Sequence, residues 1–213
     1  ESFSVEDIRG MAKGKAVLTG DSLELEMPSS PDADGFRVVR ASMSGFEIDS
    51  VDDAKADKAL AKLGYDRVAV DAGLELAANR DSGRFEIREL SVEMREGFSL
   101  SLEAEFDGLP DFRGETSNGR QSLGMEGAQR RFMRQMRDFV LTEGRVSFED
   151  RSIVNRAIQA QAKERGVSAE KFREMTISNM NRNAQRLKGR EKQAALAVSD
   201  FVANPGTLVV EAS

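Results

Sequence analysis

A short segment in the second half of the chain carries four arginines that could bind an anionic surface. They are Arg130, Arg131, Arg134 and Arg137. An apolar stripe lies between them at helical spacing, formed by Met125, Ala128, Phe132, Met133, Met136, Phe139 and Val140. The pattern predicts a basic amphipathic helix over about 125–139, which could adsorb on a membrane or dock into a partner protein. In the alternative interpretation, this helix covers a sheet and its arginines are solvated.

Most residue types on which enzyme sites depend are missing, because the chain has no Cys, no His and no Trp. Their absence removes the thiolate nucleophile, the usual proton shuttle at neutral pH and the commonest zinc and haem ligands. Asp and Glu together number 37, but no carboxylate pair stands out, and a single Tyr offers little to hold a sugar ring. We therefore predict no catalytic residue, no metal site and no cofactor. A hydrolase that uses carboxylates alone is the least favoured alternative.

Two glycine-containing motifs resemble ligand loops but lack the residues that those loops need. Between Gly10 and Gly14 there are three residues where a phosphate-binding loop has four, and Ala16 follows Lys15 where that loop has Ser or Thr. The segments 32–35 and 79–83 resemble calcium loops, but neither has a glycine at the sixth position or the closing glutamate of such a loop. We reject the first as a phosphate-binding loop and interpret the segments 32–35 and 79–83 as ordinary turns.

The charge of the chain is divided unevenly between its halves. Residues 1–110 contain 13 Lys and Arg against 24 Asp and Glu, whereas residues 111–213 contain 18 against 13. The second half could therefore face an anionic membrane or a partner protein. The acidic first half and the scarcity of aromatic residues argue against nucleic acid, which we do not expect as a partner.

The clearest structural pattern occupies residues 65–106, where apolar and polar residues alternate over three runs. The alternation predicts three long antiparallel strands in a meander, with a bulge near Arg88–Leu90 where its phase changes. We expect the long strands to curl, and we expect Leu100 and Leu102 to be buried. The segment 15–27 predicts an earlier hairpin that turns at Gly20 and Asp21, and 51–63 predicts a short helix.

The alternating runs place large apolar side chains on one face of the predicted meander. That face is either the protein core or, where helices leave it uncovered, a groove for an acyl chain or another elongated apolar ligand. The candidate ligand-binding residues are Val70, Leu74, Leu76, Phe85, Ile87, Phe98, Leu100, Leu102 and Phe106.

Residues 153–203 predict three helices, with Ser168 as an N-cap and Pro205-Gly206 as a stop, and a final strand follows at 208–211. The predicted fold is a single α+β domain over 1–213, in which a long curled antiparallel sheet carries C-terminal helices on its apolar face. Residues 1–110 form the mainly β half with one short helix. Residues 111–213 form the mainly helical half with a final strand.

Three segments carry a resemblance to a known group of proteins. Residues 148–154 (FEDRSIV), 166–168 (GVS) and 201–208 (FVANPGTL) resemble the closing region of uncharacterised envelope proteins of Gram-negative bacteria, and Gly64-Tyr65-Asp66 is similar to the start of the meander in that group. More distantly, the long strands resemble the β-groove lipid carriers of the AsmA and TULIP types. The resemblance implies a periplasmic or secreted location. Fold-level likeness alone does not determine function.

Together these observations lead to a non-catalytic function. We expect the chain to bind or transport a lipid or a similar apolar small molecule in the bacterial envelope, with an anionic membrane surface or an envelope protein as a further partner. The alternative is an interaction or scaffold module that has a fully packed core and docks through its basic helix.

Overall fold

The structure, a computed structural model, describes residues 1–12, 15–49, 60–108 and 139–213. This part of the chain forms one open antiparallel sheet of eight strands, arranged in sequence order from β1 to β8, with three helices between β7 and β8. The strands are β1 (Ser2–Ala12), β2 (Lys15–Glu26), β3 (Arg37–Asp49), β4 (Arg67–Asn79), β5 (Arg84–Met94), β6 (Phe98–Asp107), β7 (Val140–Asp150) and β8 (Thr207–Ala212). The helices are α1 (Ile153–Glu164), α2 (Ala169–Ala184) and α3 (Gly189–Ala203). The predicted α+β class is confirmed.

Strands β4, β5 and β6 form the predicted meander, including its bulge. The pairing of β5 with β6 shifts register between Ile87 and Leu90, and the pairing of β4 with β5 shifts between Glu75 and Leu76. The extra residue keeps Ile87 and Leu90 on the same face although one has an odd number and the other an even number. Such bulges increase the local twist and bend the strand.

The predicted turn at Gly20 and Asp21 is wrong, because both residues lie inside β2, which is one continuous strand. Gly20 is instead a position where a neighbouring side chain leaves no room for a larger residue. The ring of Phe46 on β3 lies so close that a Cβ at residue 20 would stand 2.8 Å from it. Residue 20 must therefore be small because of a neighbour 26 positions away, which a local turn signal does not reveal.

From residue 153 onward the structure confirms the three predicted helices and the final strand. The helix predicted over about 125–139 lies outside the described residues apart from Phe139, and Val140 of its apolar stripe begins β7. The Ser168 hydroxyl accepts the Lys171 backbone N–H at 3.2 Å and caps α2, and β8 pairs with β7 in antiparallel orientation. Strand β7 also lies in the second half of the chain, so residues 111–213 contribute more to the sheet than the final strand that was predicted. Of the helix predicted at 51–63, residues 60–62 are helical, and 50–59 lie outside the described residues.

Six of the buried apolar side chains in the described part form two clusters at separate places on the sheet. Phe36, Val38 and Ala77 form one, and Tyr65, Val68 and Met94 form the other. The second cluster also contacts Ile153, Leu60, Leu63, Val70 and Phe98. It therefore packs the beginning of α1 against the start of β4.

The beginning of α1 is also fixed by hydrogen bonds to the β5–β6 turn. The Gly97 carbonyl accepts the backbone N–H groups of Arg151 and Ser152 at 2.9 and 3.0 Å. Arg173 on α2 donates to the Ala203 carbonyl at 3.1 Å and to Asn155 on α1, so that one side chain joins the three helices. None of the helices in the described ranges is long and apolar enough to cross a bilayer.

Candidate ligand-binding face

One face of the sheet carries apolar side chains in rows that run across all eight strands, one residue from each strand. The first row is Phe3, Leu25, Ala41, Leu74, Leu90, Leu102, Val146 and Val210. The second row is Val5, Leu23, Met43, Ala72, Val92, Leu100, Phe148 and Leu208. We call this surface the apolar face. It arises because every strand keeps its alternation in register with its neighbours.

The nine candidate residues predicted from the sequence all lie on this face. Leu74, Leu100 and Leu102 belong to the two complete rows, and the other six extend the face along β4 to β6 in both directions. Toward one end the cross-strand pairs are Val70 with Met94 and Met94 with Phe98. Toward the other end they are Leu76 with Ile87 and Phe85 with Phe106.

The opposite face of the sheet is mainly polar in its central part, as a solvated surface requires, and the small cluster of Phe36, Val38 and Ala77 lies on it near the start of β3. The row that lies between the two complete apolar rows is Ser4, Glu24, Ser42, Gly73, Ser91, Ser101, Ser147 and Val209. In these central rows the two faces therefore differ in chemistry from β1 to β7, and Val209 on β8 is the apolar exception in the polar row.

Ion pairs reinforce the polar face around the loop before β3. Arg40 donates a 2.8 Å hydrogen bond to Glu75 and lowers the pKa of that carboxyl group below its ordinary value. The pKa of Asp32 is lowered mainly because its carboxylate accepts the backbone N–H of Phe36. Arg88 pairs with Glu86 at 2.9 Å. These contacts stabilise the ionised form of the Asp32 and Glu75 carboxyl groups, and the pKa values of both groups are lowered for that reason.

The prediction that Leu100 and Leu102 are buried is wrong, because both side chains remain partly exposed. The other seven candidate residues are also partly exposed. The contacts between the described helices and this face lie toward one end of it, at Phe148 and around Tyr65. Among the described residues, the middle of β6 is therefore bordered mainly by side chains of the neighbouring strands, and its own side chains are partly exposed.

The helices close the apolar face at the end where β6 begins. Phe148 stacks on Phe98 with 5.5 Å between ring centroids and meets Phe201 of α3 edge-on at 5.6 Å. Ile153 at the start of α1 packs against the cluster of Tyr65, Val68 and Met94. Aromatic and aliphatic side chains therefore border the apolar face at this end.

A second aromatic cluster lies at the opposite end of the face. Phe139, just before β7, stacks on Phe106 with 4.6 Å between ring centroids and an interplanar angle of 6°, and both rings lie 5.9 Å from Phe85. Next to it, Leu141 is 46% exposed. The cluster therefore continues into apolar surface that water still reaches.

The dimensions of the apolar face suit an elongated molecule. Phe98 and Phe106 lie eight residues apart on β6, which corresponds to about 26 Å at the usual rise of a strand. The hydrocarbon thickness of one membrane leaflet is about 15 Å, half that of the bilayer core. An extended acyl chain therefore fits between the two aromatic ends.

Several residues of this face were missed in the sequence. Phe3, Val5 and Leu23 from the first two strands and Val146 and Phe148 from β7 belong to the same rows as the predicted residues. The alternation of Ser2 to Glu6 is visible in the sequence, but it does not reveal which strand pairs with which. The four predicted contact residues Arg130, Arg131, Arg134 and Arg137 lie outside the described residues, so their role stays a prediction.

Within the ranges that the structure describes, no group of three or more Asp or Glu side chains is arranged so that it could hold a metal ion. The pKa shifts found there come from hydrogen bonds and ion pairs of arginine, lysine and backbone groups. The apolar face itself has aliphatic and aromatic side chains in its complete rows. Such side chains can contact the apolar groups of a ligand but cannot activate a nucleophile or transfer a proton.

Comparison with known proteins gives one match. A family model described as "Uncharacterized protein" matches residues 91–213. No curated protein and no solved structure matches the chain. The matched segment begins within β5. It includes the three helices and the aromatic side chains Phe98, Phe148 and Phe201 at one end of the apolar face.

Proposed function

The chain belongs to this family of uncharacterised proteins, and we propose that it binds a lipid or a similar elongated apolar molecule on the apolar face, without catalysing a reaction. The observation that carries the proposal is the continuity of the two apolar rows across all eight strands, combined with the partial exposure of their side chains. Exposed apolar surfaces of this extent are uncommon in monomeric proteins and typically mark binding sites.

The free energy gained by covering apolar surface favours the binding of a ligand on this face. Removing apolar surface from water contributes roughly 25 cal/mol per Å², so that covering about 400 Å² contributes on the order of 10 kcal/mol before the entropy of binding is subtracted. A flexible acyl chain follows a long, twisted surface more easily than a rigid ring system does. The aromatic clusters at the two ends give such a chain two broad contact surfaces.

The alternative function, an interaction or scaffold module, needs a fully packed core. The partial exposure of the nine candidate side chains weighs against such a core in the described part. We further propose that the protein works in the periplasm of a Gram-negative bacterium, on the resemblance of residues 148–154, 166–168 and 201–208 to envelope proteins.

A titration with a fluorescent fatty acid tests the proposal. We expect saturable binding by the unaltered protein, and we expect Leu74→Glu and Phe106→Glu each to weaken it by about tenfold or more. A carboxylate in the apolar face must lose water to accommodate the ligand, and every 1.4 kcal/mol of that cost is a factor of ten in affinity.

The matched control is Ser101→Glu, which introduces the same charge on the same sheet but on the polar face, between Leu100 and Leu102. It should bind as the unaltered protein does, and circular dichroism should show that all three variants are folded. Equal loss of binding in Ser101→Glu, or no binding by the unaltered protein, would contradict the proposal.

A further inference from the structure

The corner between α2 and α3 concentrates positive charge at one exposed place. Five cations lie within residues 182–192, where Glu191 is the one acidic residue. The cations are Arg182, Arg186, Lys188, Arg190 and Lys192. The first four are exposed, and Lys192 is partly exposed. We call residues 182–192 the basic corner.

These charges do not serve to hold the fold together. The ion pairs of the structure connect other residues, mostly on the sheet, and none in the described part includes a cation of the basic corner. Lys192 donates one hydrogen bond, to the neutral side chain of Gln185 at 2.9 Å. Like charges placed side by side without counter-charges destabilise a fold, so their concentration here indicates an external anionic partner.

The position of the corner makes it accessible to a large surface. Helix α3 runs from Gly189 at the corner to Ala203, and near its far end Phe201 contacts the sheet. Fifteen helical residues span about 22 Å, so the corner stands roughly 20 Å along α3 from that contact. The exposure of Arg182, Arg186, Lys188 and Arg190 leaves their charged groups accessible to an external surface.

An apolar side chain in the middle of the corner indicates which anionic partner it fits. Leu187 is 38% exposed and is flanked by Arg186 and Lys188. A leucine among cations matches the interface of a bilayer, where headgroup charge lies next to hydrocarbon. No aromatic side chain lies within residues 182–192 to stack on a nucleic-acid base.

We propose that the basic corner docks the protein on an anionic phospholipid surface, with the cations at the headgroups and Leu187 inserted between them. This surface is separate from the apolar face, and the proposal does not depend on lipid being bound there. It concerns a different segment from the four arginines at 130–137.

The test is sedimentation with vesicles of 30% phosphatidylglycerol in phosphatidylcholine. The variant combines Arg186→Gln, Lys188→Gln and Arg190→Gln, and we expect it to bind at least about tenfold more weakly at low salt, since each cation near such a surface adds to attraction. Binding of the unaltered protein should fall at high salt and should be absent on pure phosphatidylcholine. At moderate salt, where the attraction between charges is screened, the remaining vesicle binding depends on the inserted leucine, so we expect Leu187→Asn to weaken it.

The matched control removes the same charge elsewhere, through Arg9→Gln, Arg80→Gln and Lys171→Gln, three exposed residues outside the corner. It should keep the vesicle affinity of the unaltered protein. Equal weakening by the control variant, full binding by the corner variant, or no vesicle binding by the unaltered protein would each overturn the proposal. So would binding to duplex DNA in place of vesicles. Fatty-acid binding is measured separately, and its outcome tests the apolar face rather than the corner.

Discussion

Replacement of Tyr65 by alanine should lower the free energy of unfolding by about 3–5 kcal/mol, the usual cost of removing a buried aromatic ring. Tyr65 is 3% exposed and belongs to the cluster that joins the start of β4 to the start of α1. Its hydroxyl lies 3.0 Å from the Ser152 hydroxyl, and the Arg156 guanidinium lies 4.2 Å from the centre of its ring. One side chain thus combines apolar packing, a hydrogen bond and a cation–π contact.

Urea denaturation measures this effect, and Tyr65→Phe separates its components. The phenylalanine keeps the ring and removes the hydroxyl, so we expect a loss of about 0.5–1.5 kcal/mol. The slope of the free energy against urea should be unchanged in both variants. A loss below about 1 kcal/mol for Tyr65→Ala would mean that this cluster does not hold the helices to the sheet.

Substitution of Ser199 should change stability in opposite directions according to the size of the new side chain. Ser199 on α3 is 0% exposed, and its hydroxyl has no hydrogen-bond partner. Ser199→Leu should cost about 1–3 kcal/mol because the larger side chain over-packs the contact between helices. Ser199→Ala should stabilise the protein by about 1 kcal/mol, since it removes an unsatisfied buried polar group and favours the helix.

Thermal and urea unfolding of both variants check this prediction, with Asn179→Leu as the control. Asn179 is exposed on α2, so leucine there should change the free energy of unfolding by less than about 0.5 kcal/mol. If Ser199→Ala destabilises the protein as much as Ser199→Leu does, the prediction is wrong, because the hydroxyl then contributes a favourable contact.

Much of the fold was predictable where the pattern is local. The alternation in residues 65–106 predicts β4 to β6, and the change of phase near Arg88 predicts the bulge. Ser168 and Pro205 mark helix boundaries through backbone chemistry that does not depend on the rest of the fold. These features follow from the side-chain period of strands and from capping, which a single sequence displays directly.

The remaining features depend on residues far apart in the chain. Gly20 shows a turn signal but sits under Phe46, a contact that exists because β2 pairs with β3. Leu100 and Leu102 lie on the predicted face, yet their burial depends on how much of that face the helices cover. The full width of the apolar face needs the register of all eight strands, so the sequence could identify its central residues and not those of β1 to β3 and β7.

Native mass spectrometry of the freshly purified protein tests the central claim, that the apolar face holds an elongated apolar molecule, most directly. Protein expressed in a Gram-negative bacterium and kept in non-denaturing buffer should carry an added mass that fragments as a lipid. Leu74→Glu should lose this mass, whereas Ser101→Glu should retain it. A bare polypeptide mass for the unaltered protein, together with no saturable uptake of fatty acid, would contradict the account.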